Sequence, residues 1–260
     1  VDNSGYVMID GILFNIEQTQ LIKVPLGFEG EYIVPDSVEK ISAGAFAGSK
    51  VERVVLPDCM KTIGDSTFAD CAFLTEVVIP DTVTSIGAKA FLGTALKTII
   101  LPDGLLEIGE AAFQNSAIEK ITIPGSVNSN LNGGIGAYAF DGCTALTEVV
   151  FEKGSEKLLL GEYAFRGCTS LEAVTLPRRL RNDDTTAGIG KGCFEGCLKL
   201  KEVSFGTEST RELDLIYGYV LSLGEYAFAG CSALESIAFP EIFTVDPENA
   251  IDTIGAYAFK

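Results

Sequence analysis

The chain has 260 residues, 47% hydrophobic and 21% charged, with 36 acidic against 19 basic side chains and a formal net charge of −17. Such an acidic chain repels phosphate backbones and anionic lipid surfaces, which argues against nucleic-acid and membrane-surface partners. It holds neither histidine nor tryptophan. That removes the commonest general base, every Ser-His-Asp or Cys-His arrangement, imidazole metal sites and the strongest aromatic anchor for a sugar ring.

The chain opens on Val1 rather than Met and carries no signal peptide; it stops at Lys260, straight after "AYAF". Both ends read as cut points of a longer protein, so a missing signal says little about destination. The first β signals are Ile12–Phe14, Leu21–Val24 and Tyr32–Val34. From Pro35 onward one pattern recurs. Phe46, Phe68, Phe91, Phe113, Phe140, Phe165, Phe194, Phe228 and Phe259 are separated by 22, 23, 22, 27, 25, 29, 34 and 31 residues. Ahead of each Phe comes an Ile-Gly or Leu-Gly step in most copies; behind it come a small residue, a Leu, Ile or Val, and a β-rich run closed by proline. "IPDTVTSIGAKAFLGTALKTI", from Ile79, is the cleanest copy.

Self-similarity at this period means a solenoid. The runs "VERVVLP" (from Val51), "LTEVVIP" (from Leu74) and "LKTIILP" (from Leu96) alternate with period two, which predicts one short strand per coil. Proline ends each strand, because it cannot donate to the next rung. The glycine permits a tight bend or a close backbone approach. "AxAF" is too short for an independent helix, and the expectation is a short helical or 3-10 turn whose Phe points inward. A single repeat cannot bury its Phe, Ile and Leu; stacked repeats can.

The blocks "IPDTVTSIGAKAF" and "LPDCMKTIGDSTFADCAFLTEVVIP" resemble the BspA-like subfamily of leucine-rich repeat proteins, over about Tyr32 to Lys260. The opening Asp10–Val38 also looks like that family's hairpin insert. The resemblance implies a right-handed solenoid of about nine coils, one parallel sheet with short turns opposite, and a surface-exposed protein of bacteria or some protists that adheres to host matrix proteins or other cells. The expected organisation is an N-terminal β-hairpin segment over 1–32 and a solenoid over 33–260. Repeats from Pro124 onward are longer than the usual 22 or 23, so their loops belong to this protein.

Seven cysteines are present. Cys71, Cys143, Cys168, Cys197 and Cys231 all lie three residues after the core Phe, where Ser49, Thr94 and Ser116 stand in other copies. Strand-stacked neighbours are about 4.8 Å apart with parallel side chains, whereas a disulfide needs Cβ atoms about 3.8 Å apart and facing. Free, buried thiols are expected rather than a metal or redox site. Cys193 and Cys197 have no second pair at zinc spacing.

Two surfaces could carry function. One is the outward face of the strands: Val55, Val78 and Ile100 would stack as an exposed apolar stripe, continued by Thr122, Val150, Thr175, Ser204 and Ala238. The plain alternative is β-propensity on a solvated sheet. The other is a set of insertions. Proline to the Ile of "IG" spans six residues in the first four repeats, but eleven at Pro124–Ile135, twelve at Pro177–Ile189 and fourteen at Pro240–Ile254. Gly206, in place of proline, stands seventeen before Leu223. All enter at one point of the repeat and so must emerge along one edge. Their anchors would be Arg178, Arg179 and Arg181 in "RRLRNDD", and Tyr217 and Tyr219 in "RELDLIYGYVLS", since arginine and tyrosine dominate interface hot spots. Equally, these loops could pair locally and cover core.

No catalytic constellation, cofactor motif or metal set stands apart from the repeat. The reading is a secreted or cell-surface binding module without enzymatic activity, engaging a protein or glycan on a host or neighbouring cell. The alternative is a spacer of a larger surface protein with no ligand of its own. Oligomeric state is not encoded in the pattern. With no cap after Phe259, the last coil is expected to be frayed or covered by a neighbouring molecule.

Overall fold

The computed structural model describes residues 5–127, 134–154, 158–177, 180, 188–206, 221–239 and 251–260. The nine phenylalanines lie in one column. From Phe46 to Phe259 successive ring centroids are 4.9, 5.3, 5.1, 5.2, 5.1, 5.4, 5.4 and 5.7 Å apart. Tyr32 heads the column, 6.0 Å from Phe46. Phe46 to Phe228 are buried, and one continuous core runs through them from Ile12 to Phe228. The chain is a right-handed solenoid with parallel strands along one face.

The turns around each Phe are not helical: no helix or 3-10 segment occurs among the described residues, which corrects the expected helical turn. The residue two before each Phe lies in the left-handed region in all nine coils, with φ from 54° at Ser66 and Ala111 to 64° at Gly44. The residue two after it does so from Gly48 to Gly230, with Gly, Asp or Asn at each. Left-handed residues cannot continue a right-handed helix. Hydrogen bonding gives the same answer. Gly44, Phe46 and Gly48 donate their N–H groups to carbonyls of Asp65, Thr67 and Ala69 in the next coil at 3.0, 3.0 and 2.8 Å. The alternate N–H groups close tight turns, Ala45 to Ser42, Ala47 to Gly44 and Ser49 to Phe46. An α-helix would need those same donors for carbonyls four residues back. Stacking takes them instead, and "AxAF" becomes a rung.

The sheets also differ from expectation. A second parallel ladder runs beside the first, built from the two residues before each "IG" glycine: β7 (Thr62–Ile63), β9 (Ser85–Ile86), β10 (Glu107–Ile108) and β12 (Gly134–Ile135). It continues through Leu160, Ile189 and Leu223 to β18 (Ile251–Ile254). The main sheet is in three stretches: β4 (Glu29–Ile33), β6 (Lys50–Val55) and β8 (Glu76–Val78); β11 (Lys120–Ile123) with β13 (Glu148–Phe151); and β14 (Ala173–Leu176), β15 (Glu202–Phe205) and β17 (Ser236–Ala238). "LKTIILP", expected as a strand, is not laddered. Its alternation survives, with Ile99 against the core and Ile100 outward. Period two encodes which side chains are buried, not whether neighbouring backbones pair.

At the N-terminal end β1 (Tyr6–Ile9), which sequence reading missed, pairs antiparallel with β2 (Ile12–Asn15). β2 pairs antiparallel with β3 (Gln20–Lys23), and β3 joins β5 (Lys40–Ile41) in parallel. The hairpin is thus hydrogen-bonded to the first coil.

Close approach explains the "IG" glycines. A Cβ on Gly109 would sit 2.7 Å from the carbonyl carbon of Gly87, and one on Gly136 2.7 Å from the carbonyl carbon of Gly109. All seven cysteines are free. The five in register each donate to the carbonyl of the Phe one coil back: Cys71 to Phe46, Cys143 to Phe113, Cys168 to Phe140, Cys197 to Phe165 and Cys231 to Phe194, at 3.0–3.2 Å. Thr94, by contrast, donates to its own Phe91 at 3.0 Å. Burial pushes the Cys143 thiol up to about 11, against an opposing hydrogen bond from Ser116, and drives Cys168 well above its usual value.

Two outcomes follow from this core. Phe140→Ala, which removes one ring from mid-column, should cost about 3–5 kcal/mol in denaturant unfolding. The buried thiols stay protonated in the fold but ionise above about 9 once unfolded, so stability should fall as pH rises from about 9 to about 11. Urea midpoints across that range for Cys143→Ala should decline less steeply than for the parent chain.

Candidate interaction surfaces

The outward column on the main sheet is assembled by register. Ile33 pairs with Val55, Val55 with Val78, Thr122 with Val150, and Thr175 with Ser204, which pairs with Ala238. Val55 is half-buried, Val78 is 38% exposed and Ile100 is 88% exposed. Ile33, 64% exposed, extends the column and was missed; its place before Val34-Pro35 was the available signal. Beyond Ile100 the column is mixed: Thr122 is followed by Val150, 41% exposed, and then by Thr175 and Ser204, which hydrogen-bond to each other at 2.9 Å.

Many of the charges flanking this column are paired. Lys50 meets Glu29 at 2.7 Å, Arg53 bridges Glu31 and Glu76 (2.9 Å), Lys97 meets Glu119 at 2.9 Å, Lys120 meets Glu148 at 2.7 Å and Lys201 meets Glu172 at 3.3 Å. Hydrogen bonding to these carboxylates raises Lys97, Lys120 and Arg53, and the Lys50 hydrogen bond lowers Glu29. Exposed pairs of this kind contribute little to stability. They do hold long side chains along the sheet and neutralise it within an acidic protein.

Arg178, Arg179, Arg181, Tyr217 and Tyr219 lie outside the described residues. The described residues on either side of the insertions occupy the same two places in the coil. Val127, Pro177, Gly206 and Phe239 follow the end of a main-sheet strand, and Gly134, Gly188, Leu221 and Ile251 open or immediately precede the second ladder.

A third surface escaped the sequence reading. On the turn face the left-handed position two before Phe carries tyrosine at Tyr138, Tyr163, Tyr226 and Tyr257. Tyr138 and Tyr163 stack at 5.1 Å, and Tyr226 and Tyr257 at 5.3 Å. The guanidinium of Arg166 lies 5.3 Å from the Tyr138 ring and 4.8 Å from the Tyr163 ring. Its Nε and an Nη donate to the two carboxylate oxygens of Asp141, each at 2.8 Å, and Gln114 donates to the same carboxylate at 2.8 Å. Asp141 is buried under this cluster. The available signal was the recurrence of Tyr in "GAYAF" and "GEYAF". Among the described residues no group of three or more Cys, Asp or Glu could hold a metal ion, and no helix is long and apolar enough to cross a membrane.

Asp141→Asn should leave Arg166 without its paired carboxylate beneath the rings. Thermal unfolding should then show a loss of about 1–3 kcal/mol, whereas Glu110→Gln on the same face should be close to neutral.

Known proteins resemble this chain chiefly in the repeat. A family model for the BspA type leucine rich repeat region, in six copies, matches residues 30–132 and 133–260. No curated protein matches the chain. Among solved structures, a leucine rich repeat protein from T. pallidum is 22% identical, with a TM-score of 0.50, over 94% of this chain and 92% of its own. A leucine-rich repeat protein from Bacteroides ovatus is 21% identical, with a TM-score of 0.46, over 100% of this chain and 79% of its own. At these identities the likeness is one of fold. The phenylalanine column, the paired ladders and the repeat match over nearly the whole chain lead to one assignment: the protein belongs to the BspA type leucine-rich repeat family.

Proposed function

We propose that the protein is an extracellular or cell-surface binding module that adheres to a protein or glycan of a host or neighbouring cell through the outward face of its main sheet. The observation that carries this is the apolar column Ile33, Val55, Val78 and Ile100. It ends in an isoleucine 88% exposed, on a sheet where many of the neighbouring charges already satisfy one another. Apolar surface left in water beside paired charge favours a partner that covers it. Membership of the repeat family supports the same reading. A second contribution is assigned to the insertions: Arg178, Arg179, Arg181, Tyr217 and Tyr219 would act as anchors along one edge. The common entry point of the insertions supports it.

Binding of the intact chain to immobilised matrix proteins, a glycan array and whole cells tests both parts. The double variant Val78→Glu, Ile100→Glu should fold normally, because both sites face solvent, yet lose about tenfold or more in affinity. Shortening 178–184 and 211–222 should weaken the same binding. Full binding by the Glu variant would overturn the sheet assignment, and no binding by the intact chain would leave a spacer.

A further inference from the structure

The tyrosines of the turn face sit where the backbone disfavours them. A bulky residue at φ near +60° is an outlier that the surroundings must hold in place. Gly44 and Gly192 fill the same position without that cost. The tyrosines are confined to the coils of Phe140, Phe165, Phe228 and Phe259, and the coil between the two pairs carries Gly192. In the coils of Phe140 and Phe165, two tyrosines, an acid one after the first Phe (Asp141) and a cation one after the second (Arg166) form a complete set: guanidinium on rings, bidentate on carboxylate. In the coil of Phe259 the same position holds Lys260, whose ammonium lies 4.9 Å from the Tyr257 ring.

The coils of Phe194 and Phe228 keep the second tyrosine of the arrangement and an acid, but lack the cation and the first tyrosine. Glu195 stands in the place of Asp141 and Tyr226 in the place of Tyr163, but Ala229 stands in the place of Arg166. Gly192 replaces the first tyrosine, and its surface is covered by the Tyr163 ring leaning over from the previous coil. Glu195 closes the other side, its Oε2 3.0 Å from where a Cβ on Gly192 would be. Among the described residues no hydrogen bond or ion pair joins the Glu195 carboxylate to a cation, although Arg166 lies near enough to feel its charge. The local chemistry is therefore the Glu195 carboxylate beside the Tyr163 ring, which takes the place of the missing first tyrosine over Gly192, with Tyr226 in the following coil.

We infer that Glu195, Tyr226 and Tyr163 form a docking site for an arginine side chain of a cationic partner polypeptide, which supplies the guanidinium that Arg166 supplies one site away. Guanidinium on an aromatic ring with a carboxylate partner is favourable at exposed sites, and the net charge of −17 draws a basic partner toward it. This rests on the binding-module reading but on a different surface from the sheet column. Its probe is synthetic, so its failure would leave the sheet assignment standing.

The test is calorimetric titration of the whole chain with an acetylated hexa-arginine peptide at fixed salt. Glu195→Gln and Tyr226→Ala should each weaken binding about three- to five-fold. Glu110→Gln, which removes the same charge from the turn face further along, should change it less than half as much. Ala229→Arg should reproduce the Arg166 set within the chain and weaken the peptide at least as much as Glu195→Gln does. Thermal unfolding checks that Ala229→Arg is folded; if it is not, the two half-exposed positions decide the matter. Equal losses for Glu195→Gln and Glu110→Gln, or unchanged affinity in a folded Ala229→Arg chain, would overturn the assignment.

Discussion

The structure depends on alternate N–H groups of each turn pointing along the solenoid axis to the next coil. Phe46 donates to Thr67, Phe68 to Ala90, Phe91 to Ala112, and so on to Phe228 and Ala258, at 2.7–3.0 Å. That contact sets the spacing of about 5 Å, and the other repeated features follow from it. Rings at that spacing stack almost parallel, within 12° from Phe68 onward. Thiols reach the carbonyl one coil back. From Gly87 onward a Cβ at the "IG" step would overlap the backbone of the coil before. The left-handed residues two before and two after each Phe are the local cost of turning those donors outward from the coil.

With the interior filled by Phe, Ile, Leu and Cys, chemistry can vary only on what faces outward. The main sheet offers a row of similar side chains with charges paired at its margin. The turn face offers positions where a side chain leaves a left-handed backbone. The N-terminal coils place Gly, Ser, Lys and Ala there, and the C-terminal coils place Tyr in all but the coil of Gly192. This division of an invariant core from variable faces lets a repeat array present an extended surface. It also explains the buried state of the thiols: a Cys in this position packs and donates to a carbonyl, and burial raises its pKa and keeps it protonated.

Much of this was legible in the residues. The period of the Phe column, the inward and outward alternation of "VERVV" and "LTEVV", and the free thiols follow from pattern and distance alone. Less legible was what several coils do together. Nothing in "LKTIILP" distinguishes it from its laddered relatives, yet only the side-chain alternation is kept there. The cluster of Asp141, Arg166, Tyr138 and Tyr163 joins residues from two coils that are 25 apart in the chain, so no local motif announces it. Ile33 was available on the same pattern as Val55 but sat at the start of the array.

The sequence by itself determined the architecture: a residue that recurs every 22 to 34 positions and cannot be buried by its own repeat must be buried by its neighbours. Tertiary structure alone decided how each rung is held and which outward residues meet. Whether a short "AxAF" segment coils into a helix or lies flat as a rung depends on where its N–H groups find carbonyls, and those carbonyls belong to another coil. The same reason governs the surface. Cations, carboxylates and rings become neighbours only when coils stack in register, and that register is set by the backbone contacts between them.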